Sequence, residues 1–228
     1  MILAFDTATR ATTVAVSTAT GRLLERRDDP PPGARPRHTT VLLTLIEQVL
    51  KDAGAGWEQI ERIAVGVGPG TFTGLRIGVA TARALASARG IPLVGISTLE
   101  SLAHNAPPEH GTVAAVLDAR RGEVFATIFS HGKPQLSPTA LDPRDLAKLL
   151  AEQAETPLAI GDGAIEFRAL LEPSGALIPE DHAELHRVTA INHCVLACDR
   201  HPGDPNEVLP EYVRLPDAEI SRRSTPSR

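Results

Sequence analysis

Four residues near the start of the chain have the types and spacing to do chemistry together: Asp6, Thr7, Thr9 and Thr12. One carboxylate and three hydroxyls around a tight hairpin can hold a hydrated magnesium ion and a phosphate. The same residue types cap local backbone groups in ordinary turns, so the spacing leaves both readings open. Asp118 ends a second apolar run in the same way, and Arg120 and Arg121 follow it. Those arginines are placed either to steer a phosphate or to keep a hairpin tip solvated. Residues 66–78 pack five glycines into thirteen positions, between an apolar run and a helical pattern. Such a junction can cradle phosphate or let another backbone approach closely. It matches neither common fingerprint. Gly74 is followed by Leu75-Arg76, where a Walker loop needs Lys and a hydroxyl residue. After Gly68-x-Gly70, Thr73 stands where a dinucleotide loop needs its third glycine.

The other candidates are weaker. His182 and His186 lie one helical turn apart with His193 beyond them, a face that can bind zinc, although Glu184 is not placed as in a metalloprotease helix. Cys194 and Cys198 share one helix face and read as two small buried thiols, with a metal site or a disulfide as the alternatives. No serine sits in a nucleophile elbow, and neither cysteine has a context that implies activation.

These residues must be positioned by a recognisable series of elements. Met1–Phe5, Thr12–Ser17 and a strand near Arg22–Arg27 form a β-meander. Residues 28–33 break regular structure, and a helix follows at Thr39–Ala53 with Leu42, Leu45, Ile46, Val49, Leu50 and Ala53 on one face. Val41 and Leu43 widen that face. Strand Ile63–Val67 leads through the glycine loop into a helix over 72–89, stopped by Gly90. Gly78, Ala82 and Ala86 leave little bulk on this helix, as do Ala80, Ala84 and Ala88 beside them. Both helices carry more apolar surface than one sheet contact consumes, which predicts a protein interface. Strand Pro92–Ile96 and a helix from Thr98 close a first unit. Val113–Asp118, a short turn and strand Glu123–Ser130 repeat the opening pattern, as in an internal duplication. Helix Pro143–Glu152, strand Pro157–Ile160 and further helices follow. The polar tail at 216–228 reads as disordered.

Composition sets the outer bounds. A chain of 228 residues, 42% apolar and 22% charged, suits one large soluble domain or two small lobes. The apolar runs are too short to span a bilayer and no basic leader precedes one, so a cytoplasmic location and no membrane contact are expected. A net charge of −5 argues against binding nucleic acid by charge alone. Arg outnumbers Lys twenty to three, through coding bias or for phosphate recognition. Seven aromatics are few for a platform that stacks single-stranded RNA.

Five segments, in order across nearly the whole chain, resemble the bacterial TsaB (YeaZ) family. They are Ile2-Leu3-Ala4-Phe5-Asp6-Thr7-Ala8-Thr9, Gly68-Pro69-Gly70-Thr71-Phe72-Thr73-Gly74-Leu75-Arg76-Ile77-Gly78, Gly95-Ile96-Ser97-Thr98-Leu99-Glu100, Asp118-Ala119-Arg120-Arg121-Gly122-Glu123-Val124-Phe125 and Pro210-Glu211-Tyr212-Val213-Arg214. The resemblance implies an α/β, actin-like ATPase (ribonuclease H-like) fold. It would have two lobes at 1–105 and 106–215, each a mixed sheet flanked by helices, the second reduced, with the C-terminal helix free to pack back onto the first. It implies a non-catalytic dimerisation and activating subunit of the complex that makes N6-threonylcarbamoyladenosine at position 37 of tRNA. The partner would be TsaD, as a heterodimer, with TsaE in the larger complex. Leu42, Leu45, Ile46 and Val49 would present one helix to TsaD. Leu75, Arg76, Ile77, Val79, Ala82 and Arg83 would present the other. Asp6, Thr7, Thr9 and Thr12 would then be a vestigial nucleotide site, with Gly161-Asp162-Gly163-Ala164 the remnant of a second loop. TsaD carries a metal-binding histidine pair spaced i, i+4; here His38 is followed at that spacing by Leu42, so no metal is expected. No cofactor of the chain's own is expected, only ATP or ADP at the junction with TsaD. Contact with tRNA would be indirect, and the isolated chain could pair with its own copy. The alternative is a stand-alone actin-fold ATPase or metallopeptidase-like enzyme.

Overall fold

β-Branched and aliphatic residues drive β1 (Ile2–Asp6) and β2 (Thr12–Ser17) into antiparallel pairing, and β3 (Leu23–Asp28), apolar only at Leu23 and Leu24, completes the meander at the sheet edge. A computed structural model describes residues 1–31 and 33–213, so the tail read as disordered at 216–228 lies outside the described residues. After α1 (His38–Ala53), β4 (Arg62–Gly68) pairs parallel to β1; after α2 (Phe72–Arg89), β5 (Leu93–Ser97) pairs parallel to β4. The sheet order is β3-β2-β1-β4-β5. Gly90 takes a left-handed conformation at φ 64° and stops α2 where the sequence predicts. α3 (Thr98–Ala103), capped by Ser97, leads to the second sheet.

That sheet repeats the plan. β6 (Thr112–Arg120), β7 (Glu123–Ser130) and β8 (Lys133–Leu141) form a meander; α4 (Pro143–Ala151) crosses over and β9 (Leu158–Ile160) pairs parallel to β6, in the order β8-β7-β6-β9. β8 carries Pro134 and Pro138, which hide it from a strand pattern. Its edge position tolerates them, because the lost N–H bonds have no neighbour to face. Short helices α5 (Asp162–Glu166) and α6 (Arg168–Leu171) pack on this second sheet, and α7 (Ala190–Cys198) returns to the first.

The two faces of the first sheet differ in side-chain size, and that decides which helices they accept. Leu3, Phe5, Val14, Val16, Ile63 and Val65 face α1 and α2 in a large core. On the opposite face Ala4 pairs with Ala15 and with Ala64, a flat row across three strands. Ala190, Cys194 and Ala197 of α7 seat on that row. Alternation along each strand produces the split, since neighbouring residues point to opposite faces.

Candidate functional site

Asp6 ends β1 and is almost wholly buried, at 1% exposure. Its Oδ1 accepts the Ala8 amide at 2.6 Å, and its Oδ2 accepts the Thr98 hydroxyl at 2.8 Å and lies 3.0 Å from His193 Nε2. On the far side of the imidazole, His193 Nδ1 lies 2.9 Å from Ser101 Oγ and 3.0 Å from the Thr189 carbonyl. Burial pushes the Asp6 carboxyl up, but the hydrogen bond and charge of His193, with the Ala8 and Thr98 donors, hold it below its ordinary 3.8. A Cβ at residue 66 would lie 1.8 Å from Asp6 Oδ2, so Gly66 is what lets the carboxylate sit there.

The hydroxyls beside it are also turned inward. Thr7 Oγ1 donates to the Gly74 carbonyl at 2.7 Å, and Thr12 Oγ1 lies 2.8 Å from His38 Nδ1. Both threonines are buried, and of the four residues read as a phosphate site only Thr9 lines open space. The glycine loop explains this. A Cβ at Gly74 would lie 1.9 Å from the Thr7 carbonyl oxygen and one at Gly70 would lie 2.4 Å from that of Ala8, while the Thr71 amide donates to Ala8 at 2.7 Å. The loop's glycines admit the neighbouring hairpin backbone, not a ligand.

Asp118 makes the matching turn in the second sheet: its Oδ1 accepts the Arg120 amide at 2.7 Å and its Oδ2 pairs with Arg120 Nη1 at 2.8 Å. Asp162 Oδ1 accepts the Asp118 amide at 3.0 Å. Desolvation raises the Asp162 carboxyl, and the Asp118 charge adds to the rise. Arg120 and Arg121 both have left-handed backbones, at φ 65° and 58°. Such a conformation costs a non-glycine residue about 1–2 kcal/mol.

Between the two Asp turns lies a cleft of about 270 Å³. Thr9 and Arg10 form one wall, the Arg120–Arg121 turn another, and Glu211, Tyr212 and Val213 close it at the side. Phe72 and Tyr212, with ring centroids 5.1 Å apart, stand at this cleft, and Phe125 lines it from β7. Arg76 lays its guanidinium 3.8 Å above the Phe72 ring and donates from Nε to Tyr212 Oη at 3.1 Å.

α1 and α2 divide their residues differently from the expectation. Leu42, Leu45, Ile46 and Val49 of α1, and Leu75, Val79 and Ala82 of α2, are buried in the chain's own core. Of the ten residues assigned to a partner, only Arg76, Ile77 and Arg83 reach solvent. The widest apolar stripe is the one the sheet consumes, so it cannot also serve a partner. What remains outside is smaller: Leu43 at 55% exposure on α1, and Ala80, Ala84 and Ala88 on α2. The alanine repeat at every fourth residue was the available signal. Arg83 Nη2 donates to Asn206 Oδ1 at 3.3 Å.

The histidines also separate. No helix joins His182 to His186: His182 is exposed, while His186 is buried in a short 3-10 turn against the Gly161 and Pro179 backbone. Cys194 is buried, its thiol pushed up to about 12 by desolvation, but Cys198 is exposed, so only one of the two thiols is a core residue.

Comparison with known proteins supplies the kinship of this arrangement. The family model described as TsaD, tRNA N6-adenosine threonylcarbamoyltransferase, matches residues 30–153, more than half the chain. The tRNA threonylcarbamoyladenosine biosynthesis protein TsaB of Bacillus subtilis is 27% identical over 187 residues, covering 80% of this chain and 82% of that one. The TsaB protein of Escherichia coli is 38% identical over 131 residues, which is 54% of this chain and 52% of that one. The structure of YeaZ from Pseudomonas aeruginosa superposes with a TM-score of 0.78 at 28% identity, over 92% of this chain and 98% of that one. The chain belongs to the TsaB (YeaZ) family. Its fold is the two-lobed actin-like ATPase fold.

Ligands that this fold suggests can be tested against the TsaB-family side chains present. Magnesium-nucleotide at Asp6 does not fit: both carboxylate oxygens are taken, and the Thr7 carbonyl fills the glycine loop. A metal at His38 does not fit either, since the ring is buried with Nδ1 on Thr12 and Leu42 stands in the core one turn on. Burial lowers the His38 pKa, against the pull of Asp6 and Asp28. Its Nε2 has no partner among the described residues. Among those residues, no three His, Cys, Asp or Glu side chains gather where a metal could bind. No helix of the described chain is long and apolar enough to cross a membrane.

Proposed function

We propose that this chain serves tRNA threonylcarbamoyladenosine biosynthesis as a non-catalytic subunit that pairs with a TsaD-type transferase through the outward faces of α1 and α2. The observation that carries the reading is α2 itself, whose inward face is filled by Val79, Ala82 and Ala86 while Ala80, Ala84 and Ala88 stand exposed on the other side. Alanine loses no rotamer freedom on burial and allows a partner helix to come within about 8–10 Å. Ile77 and Leu43 add apolar contact at the edges of that strip. The names of the relatives support the pathway, and the internal saturation of Asp6 supports a subunit that lends surface rather than chemistry. ATP or ADP would bind, if anywhere in the pair, at the junction with TsaD, and TsaE would join the larger assembly. The same strip would serve a second copy when the chain is alone.

Mixing the purified chain with TsaD and measuring mass by size-exclusion chromatography with light scattering tests this. The native chain is expected to give a heterodimer. Ala84→Asp and Leu43→Asp are expected to abolish it, because each buries a carboxylate without a partner in the closed interface. Circular dichroism melts of both variants should match the native chain. Heterodimers of normal affinity from both would overturn the reading.

A further inference from the structure

The outward row of α2 does not consist of alanines alone. Phe72, Arg76, Ala80, Ala84 and Ala88 recur at every fourth residue and form one ridge of the helix, all of them exposed. Beside the N-terminal end of that ridge lies a segment that follows α7 in the chain. Its Asn206 accepts from Arg83, Val208 packs against the core of the first sheet, and the Glu211 amide donates to the Val67 carbonyl at 2.8 Å. Tyr212 then reaches the Phe72 ring. Arg76 is consumed in this arrangement: it lies over Phe72 and donates to the Tyr212 hydroxyl, so it fixes the two rings rather than offering free charge. Large apolar side chains are nonetheless left in water here. Leu209 is 60% exposed, and Tyr212 and Phe72 are exposed beside it. Single exposed apolar residues need no explanation, but three on one helix start and the segment tied to it make a patch. Elsewhere on α1 and α2, Leu43 is the only large apolar side chain that is exposed. Alanines let a partner come close but bury little area, whereas a stable interface takes about 800 Å² a side and a few large anchors.

We propose that residues 206–212 belong to the partner surface, with Phe72, Leu209 and Tyr212 as its apolar anchor, and that a TsaD-type partner seated on the α2 ridge covers them. The inference rests on the reading that α1 and α2 pair with that partner, and it adds a segment outside both helices. Continuity of the ridge selects the occupant: a helix packed on Ala80 and Ala84 runs on to the Phe72–Tyr212 pair at one end. Rings already held by Arg76 lose little freedom when they are covered, which suits them to anchor an interface. Glu211 and Val213 of the same segment line the inter-lobe cleft, so a partner that holds Tyr212 also holds one wall of that cleft.

Tyr212 is the one tyrosine of the chain, so labelling the full chain with 3-fluorotyrosine gives a single fluorine NMR signal that reports this position. Unlabelled TsaD is expected to move its chemical shift and to shield it from a soluble gadolinium chelate. Titration calorimetry with TsaD should show Tyr212→Ala and Leu209→Asp each weakening the pairing about tenfold or more. Tyr212→Phe keeps the ring and should lose less. Both positions are exposed, so the melting points should match the native chain. Native affinity in both variants, or a signal as accessible after pairing as before, would overturn this inference and leave the helix faces standing. Weakened pairing in these variants with normal pairing in Ala84→Asp and Leu43→Asp would support the segment and overturn the earlier choice of faces. A native chain that does not pair with TsaD would overturn both. A shift that follows the concentration of the chain alone, and not TsaD, would make the occupant a second copy and overturn the assignment of the partner.

Discussion

Asp6 shows how far one residue's meaning depends on what surrounds it. Its type and place at a strand end suit a metal ligand, yet an imidazole from the other end of the chain, 187 positions away, occupies the space a cation would take. Removing one partner of a buried pair costs about 3–5 kcal/mol, because the other is left as an uncompensated charge. His193→Ala should therefore lower stability by about that amount in urea titrations. The pH dependence has a definite sign. With its folded pKa below 3.8, Asp6 contributes stability in full above that value and loses it as pH falls through the folded pKa. In His193→Ala the burial stays and the chief opposing influence goes, so the acid limb of the melting curve should move toward neutral pH. An unchanged acid limb would mean the pair is not coupled as described. The thiols give a second check: one thiol per chain should react with Ellman's reagent in the native state, that of exposed Cys198, and both should react in denaturant.

At the scale of elements, α2 carries two small-residue faces with opposite fates. Inward, Gly78 meets the Thr7 hydroxyl and Ala82 and Ala86 meet the sheet. Outward, Ala80, Ala84 and Ala88 meet solvent. Substitutions one helical position apart should then fail for different reasons. Val79→Asp, on the buried face, should unfold the chain or lower its melting point sharply, since an unpaired carboxylate enters the core. Ala80→Asp should melt like the native protein and lose only the partner. Circular dichroism separates the two outcomes, and equal melting points would contradict the assignment of faces.

For the whole molecule the decisive event is the return of α7 to the first sheet. Its helix start is held by Glu25 of β3, whose Oε1 accepts the Thr13 hydroxyl at 2.7 Å, the Thr189 hydroxyl at 2.5 Å and the Ala190 amide at 2.8 Å. Arg187 Nη2 reaches Asp29 at 2.7 Å, and Arg27 Nη1 donates to the Val188 carbonyl at 3.2 Å, so the approach to α7 is tied to the first sheet as well. A chain ending at Thr189 would expose the Ala4–Ala15–Ala64 row and orphan Asp6. It is expected to lose its cooperative calorimetric transition and to bind a hydrophobic dye. A sharp transition would show that the first lobe folds without α7.

Much of this was legible locally. Strand–turn–strand repeats, the limits of α2 and the family-like segments follow from residue order, because alternation, helical spacing and glycine stops act within a few positions. β8 was not legible, because its prolines erase a strand pattern that only an edge position permits. Which apolar residues of α1 and α2 are core was not legible either, since spacing gives a stripe but not its neighbour. The same holds for Asp6, whose partner His193 is near only in space, and for the three aromatics that Phe72, Phe125 and Tyr212 bring to one cleft from a helix start, a strand and the end of the described chain. The sequence by itself determined most of the elements, β8 excepted, and the kinship of this protein. Only the tertiary structure decided which chemical groups are consumed inside the fold and which are left to meet another molecule, because burial and pairing depend on contacts between residues far apart in the chain.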